Sequence, residues 1–166
     1  MRRSIAAVLA ALTALNGSMM LFAGRSWYVS VPGVVVPIDA SFAAKLVGAL
    51  AEDCGPCTQL CVDIALEAGM PNDQIEAVLR RDPQAMNSAT VLGFRFADAV
   101  VRRSADDGEF RDAIRAQWGD KGVIDLTLAL QMGRMFPMVK AGLSYAKECR
   151  RVCVDGRNVD VIRQAA

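Results

Sequence analysis

Apolar residues recur at helical spacing in every segment after Asp39, and this pattern predicts an all-α domain. Gly69, Asp82-Pro83 and Gly119 are the turn signals that separate the segments. The predicted helices run from about Asp39 to Ala51, Thr58 to Ala68, Gln74 to near Arg81, Ser88 to Arg103, Asp107 to Trp118 and Lys121 to about Lys147. No strand–helix–strand unit is visible, so we expect five or six helices and at most two short strands.

The N-terminal segment has a different pattern. An uncharged run of about 20 residues from Ser4 to Gly24 follows Arg2 and Arg3. That length allows a helix to span a bilayer, and the charged start favours an anchor with its N-terminus in the cytoplasm. A cleaved signal peptide and a soluble, buried helix are the alternatives, because Asn16-Gly17-Ser18 interrupts the run. The protein is therefore expected to be membrane-associated through this helix, or cytoplasmic.

Composition shifts divide the chain into three predicted parts. Residues 1–37 form the apolar helix and a turn-rich linker, residues 38–148 the helical domain, and residues 149–166 a charged tail that is partly extended. The last predicted helix is apolar on more than one face, which predicts a homo-oligomer. Its large apolar residues are Leu126, Leu128, Leu130, Met132, Met135, Phe136, Met138 and Val139.

Overall composition excludes several function classes. The formal net charge is +1, which argues against nucleic-acid binding driven by electrostatics. The chain contains no histidine, so Ser-His-Asp and Cys-His catalysis and histidine-ligated metal sites are excluded. Five cysteines is an odd number, so at least one thiol is free or pairs between chains. The chain is also not a disulfide-dense secreted scaffold.

The candidate chemistry lies in Cys54-Gly55-Pro56-Cys57, with Cys61 four residues later. If a helix starts here, the three sulfurs lie on one face, and Pro56 suits its first turn. The positive end of the helix dipole favours thiolate there, whereas Glu52 and Asp53 act in the opposite sense. This spacing predicts a reversible disulfide between Cys54 and Cys57.

Three other interpretations of these cysteines stay open. The pair is inert and structural, or it joins Cys149 and Cys153 in a four-thiolate metal site, although the second spacing is unusual. A thioredoxin fold shares the four letters but needs a strand before them, and none is predicted. Cys61 itself is either a small core residue or a catalytic thiol. We expect no cofactor and no metal.

Several further sequence segments add to the information from the dithiol motif. These are Glu67-Ala68-Gly69-Met70, Gln74-Ile75-Glu76-Ala77-Val78-Leu79, Phe96-Ala97-Asp98-Ala99 and Gly122-Val123-Ile124-Asp125-Leu126-Thr127. With Cys54-x-x-Cys57 they make the chain from about Asp39 to Lys147 resemble the carboxymuconolactone decarboxylase and alkyl hydroperoxidase accessory-protein family. The resemblance implies an all-α fold, a trimer or hexamer, and reduction of peroxides or disulfides by the dithiol.

The same resemblance implies roles for single residues. Cys57 would attack the substrate and Cys54 would resolve the intermediate, whereas the order in thioredoxins would make Cys54 the attacking thiol. The position of the family's histidine is occupied by Cys61, and that of its relay glutamate by Phe42. Asp39, one turn earlier, is the nearest acid that could substitute. Because a general base usually activates such a thiol, peroxide reduction is expected to be slow.

Two function classes follow. The first is an enzyme, a thiol–disulfide oxidoreductase or weak antioxidant peroxidase that uses Cys54, Cys57 and Cys61. Its partners would be a peroxide or disulfide substrate and a protein or low-molecular-weight thiol reductant. The second is a non-catalytic helical oligomer, membrane-tethered or not, whose dithiol is a redox sensor or a relic. A lactone decarboxylase ranks third, because that branch of the family typically lacks the dithiol.

Overall fold

Five helices and one β-hairpin make up the structure, a computed structural model that describes residues 35–144 and 151–162. In chain order they are α1 (Ile38–Ala51), α2 (Gly55–Ala68), α3 (Asn72–Leu79), α4 (Ser88–Arg102), α5 (Asp107–Gly142), β1 (Arg151–Val154) and β2 (Arg157–Asp160). The predominantly helical character predicted from the apolar spacing is confirmed. The predicted N-terminal helix lies outside the described residues. Within them, no helix combines the length and the apolar character needed to cross a membrane.

Local signals explain most helix boundaries. Gly69 ends α2 in the left-handed conformation, with φ of 91°. The Asn87 side chain caps α4 by accepting a hydrogen bond from the backbone N–H of Thr90 at 2.8 Å. Gly119 interrupts α5 with φ of 71°, at the predicted break. The helix after this break ends at Gly142, which corrects the prediction that it runs to about Lys147.

Helix α1 is the core of the described unit. It packs between α4 and α5, and also contacts α2 and α3. Nine of its 14 residues are buried, namely Ala40, Phe42, Ala43, Ala44, Lys45, Leu46, Val47, Gly48 and Ala49. Most of these side chains are small, so neighbouring backbones come close to α1.

Three glycines allow that close approach. A methyl group at Gly93 of α4 would overlap the carbonyl oxygen of Ala40, and one at Gly133 of α5 would overlap that of Lys45. On α1 itself, a methyl group at Gly48 would overlap the carbonyl oxygen of Leu130. In each case the obstacle is backbone, which no side-chain rotation can relieve. The close spacing of these helices therefore depends on having glycine, which has no side chain, at the three positions.

The hairpin packs on the helices. Asp155 and Gly156 form its two-residue turn with φ of 49° and 74°, the combination typical of tight hairpins. Val152, Val154 and Val159 are buried. The backbone N–H of Ile162 donates to the carbonyl oxygen of Leu79 at the end of α3, at 3.1 Å. The region predicted as a charged, partly extended tail thus contains a hairpin that contributes to the core.

Two glycine substitutions test the packing of α1. Gly133→Ala should destabilise the fold by about 1–3 kcal/mol, because α5 must move away from Lys45. Gly108→Ala, in the same helix where a methyl group meets nothing within 4 Å, should be neutral or stabilising by about 0.5–1 kcal/mol. Denaturant unfolding of both variants measures this difference. Equal stabilities would contradict the packing argument.

Candidate functional site

The dithiol forms the turn between α1 and α2. Cys54 is the N-cap residue of α2, and its carbonyl oxygen accepts from the backbone N–H of Cys57 at 3.1 Å and of Thr58 at 2.9 Å. Cys54 and Cys57 are joined by a disulfide, with Cα atoms 5.3 Å apart. The structure thus brings the two predicted residues together as a bonded pair at a helix N-terminus.

The disulfide lies just below the surface. Cys54 is 4% exposed and Cys57 9% exposed, whereas Asp53 and Pro56 beside them are exposed. Both cysteines therefore present little surface to a reactant, although the residues that flank them are exposed. Reaction with a bulky partner would require local opening of the turn.

An ion pair ties the turn to α5. The Arg134 guanidinium of α5 binds Glu52, with Nη2–Oε1 and Nε–Oε1 distances of 2.5 and 2.6 Å. Its side chain runs past Gly48, where a methyl group would lie 3.1 Å from Arg134 Cγ. Because Arg134 neutralises Glu52, that carboxylate opposes thiolate formation less than the sequence suggests.

Cys61 lies one helical turn beyond Cys57 on the same face of α2. It is half-buried and forms no disulfide. Burial raises the pKa of its thiol from the ordinary 9.0 to about 12, partly offset by the positive charge of Lys45. At neutral pH Cys61 therefore carries its proton, so it can pass on a proton but is a poor nucleophile in this state.

Lys45 is a site residue that the sequence analysis missed. It is only 9% exposed in the middle of α1, and burial lowers the pKa of its ammonium; Cys61, when ionised, acts on this pKa in the opposite direction. The Nζ atom lies 4.1 Å from the centroid of the Phe42 ring. The signal in the sequence was a single lysine between Ala43-Ala44 and Leu46-Val47, where every neighbour is apolar.

The two proposed relay positions have different surroundings. Phe42 is 2% exposed and supplies the aromatic face under the Lys45 ammonium. Asp39, which the sequence offered as a substitute acid, accepts a hydrogen bond from Asn87 Nδ2 at 2.8 Å. Asp39 is thereby engaged at the start of α4.

Cys153 is the other free cysteine of the described residues. Cys153 of β1 forms no disulfide; its Sγ lies 3.2 Å from Asn158 Oδ1 on the paired strand. Its backbone N–H donates to Gln59 Oε1 at 2.6 Å, and its carbonyl oxygen accepts from Gln59 Nε2 at 3.0 Å. Cys149 lies outside the described residues. Over 35–144 and 151–162, no group of three or more cysteine or carboxylate side chains could hold a metal ion.

The raised pKa of Cys61 predicts how stability depends on pH. The unfolded chain loses this proton near pH 9.0 and the folded chain near 12. The contribution of Cys61 is therefore fully present below pH 9 and is lost as the pH rises towards 12.

The variant Cys61→Ala isolates this contribution, because every other titrating group is retained. Between pH 8 and pH 10 the unfolding free energy of the wild type should fall by about 1 kcal/mol more than that of Cys61→Ala. Urea unfolding at the two pH values measures it. A parallel fall in both proteins would mean that the thiol pKa is not raised by the fold.

Comparisons with known proteins do not assign this site. Neither protein-family models, nor curated proteins, nor solved structures include a match to this chain.

Proposed function

We propose that this protein is a thiol–disulfide oxidoreductase whose active group is the Cys54–Cys57 pair. The observation that carries the proposal is the disulfide at the first turn of α2, where the helix N-terminus stabilises a thiolate after reduction. The resemblance to the carboxymuconolactone decarboxylase and alkyl hydroperoxidase accessory-protein family, including its fold, is part of the proposal. The placement of the dithiol between two packed helices supports it.

The reaction is a two-electron exchange. A thiolate of the reductant attacks one sulfur of the pair, the Cys54–Cys57 bond breaks, and the other sulfur leaves as thiolate. A second reductant thiolate then attacks the mixed disulfide and releases the oxidised reductant and the reduced pair. In the reverse half of the cycle Cys57 attacks a disulfide substrate, and Cys54 displaces the product thiol to restore the bond.

The surroundings of the pair favour small reactants. Because Cys54 and Cys57 are 4% and 9% exposed, low-molecular-weight thiols and disulfides reach them more easily than a folded partner does. Attack by Cys57 on a peroxide would give a sulfenic acid, which Cys54 converts to the disulfide with loss of water. Because the chain contains no histidine to act as general base, peroxide reduction is expected to be slower than disulfide exchange.

Serine variants test the proposed chemistry. Cys57→Ser and Cys54→Ser should each abolish the reversible gain of two hydrogen atoms on reduction, and Cys57→Ser should lower disulfide turnover to background. Mass spectrometry after alkylation and a coupled assay with a low-molecular-weight disulfide measure these effects. Cys153→Ser is the matched control, since Cys153 forms no disulfide, and should keep both properties. Full turnover by the Cys54→Ser, Cys57→Ser double variant would overturn the proposal.

We propose a non-catalytic helical oligomer as the second candidate function, because part of α5 has the character of an interface. Six large apolar residues, five after the break at Gly119 and one at its C-cap, are 39–61% exposed and define what we call the α5 apolar face. They are Ile124, Leu128, Met135, Met138, Val139 and Leu143. Their spacing places them on one side of the helix, so we propose that copies of the chain associate through it. An oligomer whose pair cycles but supports no turnover would favour a redox sensor over an enzyme.

A charge on the α5 apolar face tests the association. Leu128→Glu should weaken self-association about 100-fold, because burying an unpaired carboxylate costs roughly 3 kcal/mol. Gln117→Glu adds the same charge before the break at Gly119 and should leave the assembly unchanged. Light scattering at micromolar concentration measures the oligomeric state of both variants. A monomeric wild type would refute the oligomer and leave the redox proposal intact.

A further inference from the structure

A cleft lies between the end of α3, one face of α4 and the start of α5. Its volume is about 520 Å³, within the range of roughly 300–1,000 Å³ that small-molecule sites occupy. We call it the arginine cleft and define it by Arg81, Phe94, Arg95, Asp98, Arg102 and Phe110. None of the described residues that line it is a cysteine, so the cleft is a separate site from the dithiol.

Positive charge exceeds negative charge in the arginine cleft. Its charged lining residues are Arg81, Arg95, Arg102, Asp98 and Asp106, which leaves a surplus of one positive charge. Asp106 is the N-cap residue of α5, and its carboxylate accepts a hydrogen bond from Ser104 Oγ. A ligand with a single negative charge would therefore balance the charges of the lining.

The side chain of Arg81 is held firmly in this lining. Its backbone has φ of 52°, in the left-handed region that favours glycine just after a helix such as α3. The side chain is only 11% exposed and forms an ion pair with Asp98. Its guanidinium carbon lies 5.2 Å from the centroid of the Phe94 ring. These contacts offset the unfavourable backbone conformation and place a nearly buried positive charge in the cleft.

Asp98 orients two of the three guanidinium groups. Its Oδ1 pairs with Arg81 Nη2, and its Oδ2 pairs with Arg102 Nη2 at 2.5 Å. Each carboxylate oxygen thus binds a different arginine, and the two guanidinium groups lie on either side of one carboxylate. Because a guanidinium has five N–H donors, each of these arginines can also donate to a second acceptor.

Arg95 supplies the positive charge that Asp98 does not neutralise. Arg95, Asp98 and Arg102 are at positions i, i+3 and i+7 of α4, which places them on one face of the helix. Arg95 is exposed, and within 35–144 and 151–162 no carboxylate forms an ion pair with it. The half-buried side chain of Phe110 adds apolar surface from α5. The cleft therefore offers both an unpaired cation and an aromatic side chain.

We propose that the arginine cleft binds a small organic carboxylate with an apolar body. Arg95 and Arg102 donate to the carboxylate, Arg81 adds its charge, and the apolar body contacts Phe110. A guanidinium group matches a planar carboxylate with two parallel hydrogen bonds. A doubly charged anion would bring excess negative charge next to Asp98, so a single charge fits better. Binding at this site does not depend on the redox chemistry of Cys54 and Cys57.

The test is a titration of the full-length protein with benzoate, followed by NMR of the arginine Nε–H groups. Benzoate should bind with a Kd of about 1 mM, as expected for a ligand of this size. Arg95→Gln should weaken binding about tenfold, because one charge-assisted contact is lost. Arg95 is exposed and lies outside the ion pairs of the cleft, so this variant should fold like the wild type.

One control variant and two control ligands make the result specific. Arg157→Gln removes another exposed arginine that forms no ion pair in the described part of the chain, and it should leave benzoate binding unchanged. Benzamide has the ring of benzoate without the charge and should show no saturable binding. Acetate has the charge without the ring and should bind about tenfold more weakly than benzoate.

The outcomes separate this site from the redox function. The absence of saturable benzoate binding, or equal affinities of the wild type and Arg95→Gln, would overturn the proposal. Tighter binding of inorganic phosphate than of benzoate would overturn the choice of a carboxylate. The Cys54→Ser, Cys57→Ser double variant should bind benzoate like the wild type, so a failure of the redox proposal would not affect this result.

Discussion

The distance between α1 and its neighbours is the constraint on which the rest of the structure depends. At Gly48, Gly93 and Gly133 the backbones of adjacent helices approach so closely that no side chain fits between them. This packing holds α1 inside the unit, and it fixes the end of α1 from which the thiol turn starts. It also directs Arg134 past Gly48 to Glu52, so that the turn is tied to α5. A change in helix spacing would therefore reach the disulfide without any direct contact.

The same packing gives Lys45 its unusual environment. Helix α1 consists mainly of alanine and other apolar residues, and the ammonium lies over an aromatic ring. Buried charges usually weaken a fold, and a well-packed apolar residue is often at least as stabilising.

The helices were predictable because their signals are local. Apolar spacing, the proline after Gly55 and the left-handed glycine at Gly69 act within one or two turns, and the observed elements follow them closely. The pairing of Cys54 with Cys57 was predictable for the same reason, since three residues separate them.

The missed features depend on contacts between distant segments. The burial of Lys45 requires α5 to lie against its backbone, and the engagement of Asp39 requires the start of α4. The sequence alone does not show the roles of Gly93 and Gly133, because a glycine within a helical segment indicates only a low helix propensity.

The contact between Gln59 and Cys153 has a consequence for synthesis of the chain. The side-chain amide of Gln59 forms hydrogen bonds with the backbone N–H and carbonyl oxygen of Cys153, 94 residues later. One flank of α2 is therefore covered by β1. At roughly 5–20 residues per second, a ribosome needs about 5–20 seconds to make the intervening segment. During that interval the flank of α2 that carries Gln59 lacks the cover of β1. The packing of α2 is thus completed only after β1 has been made.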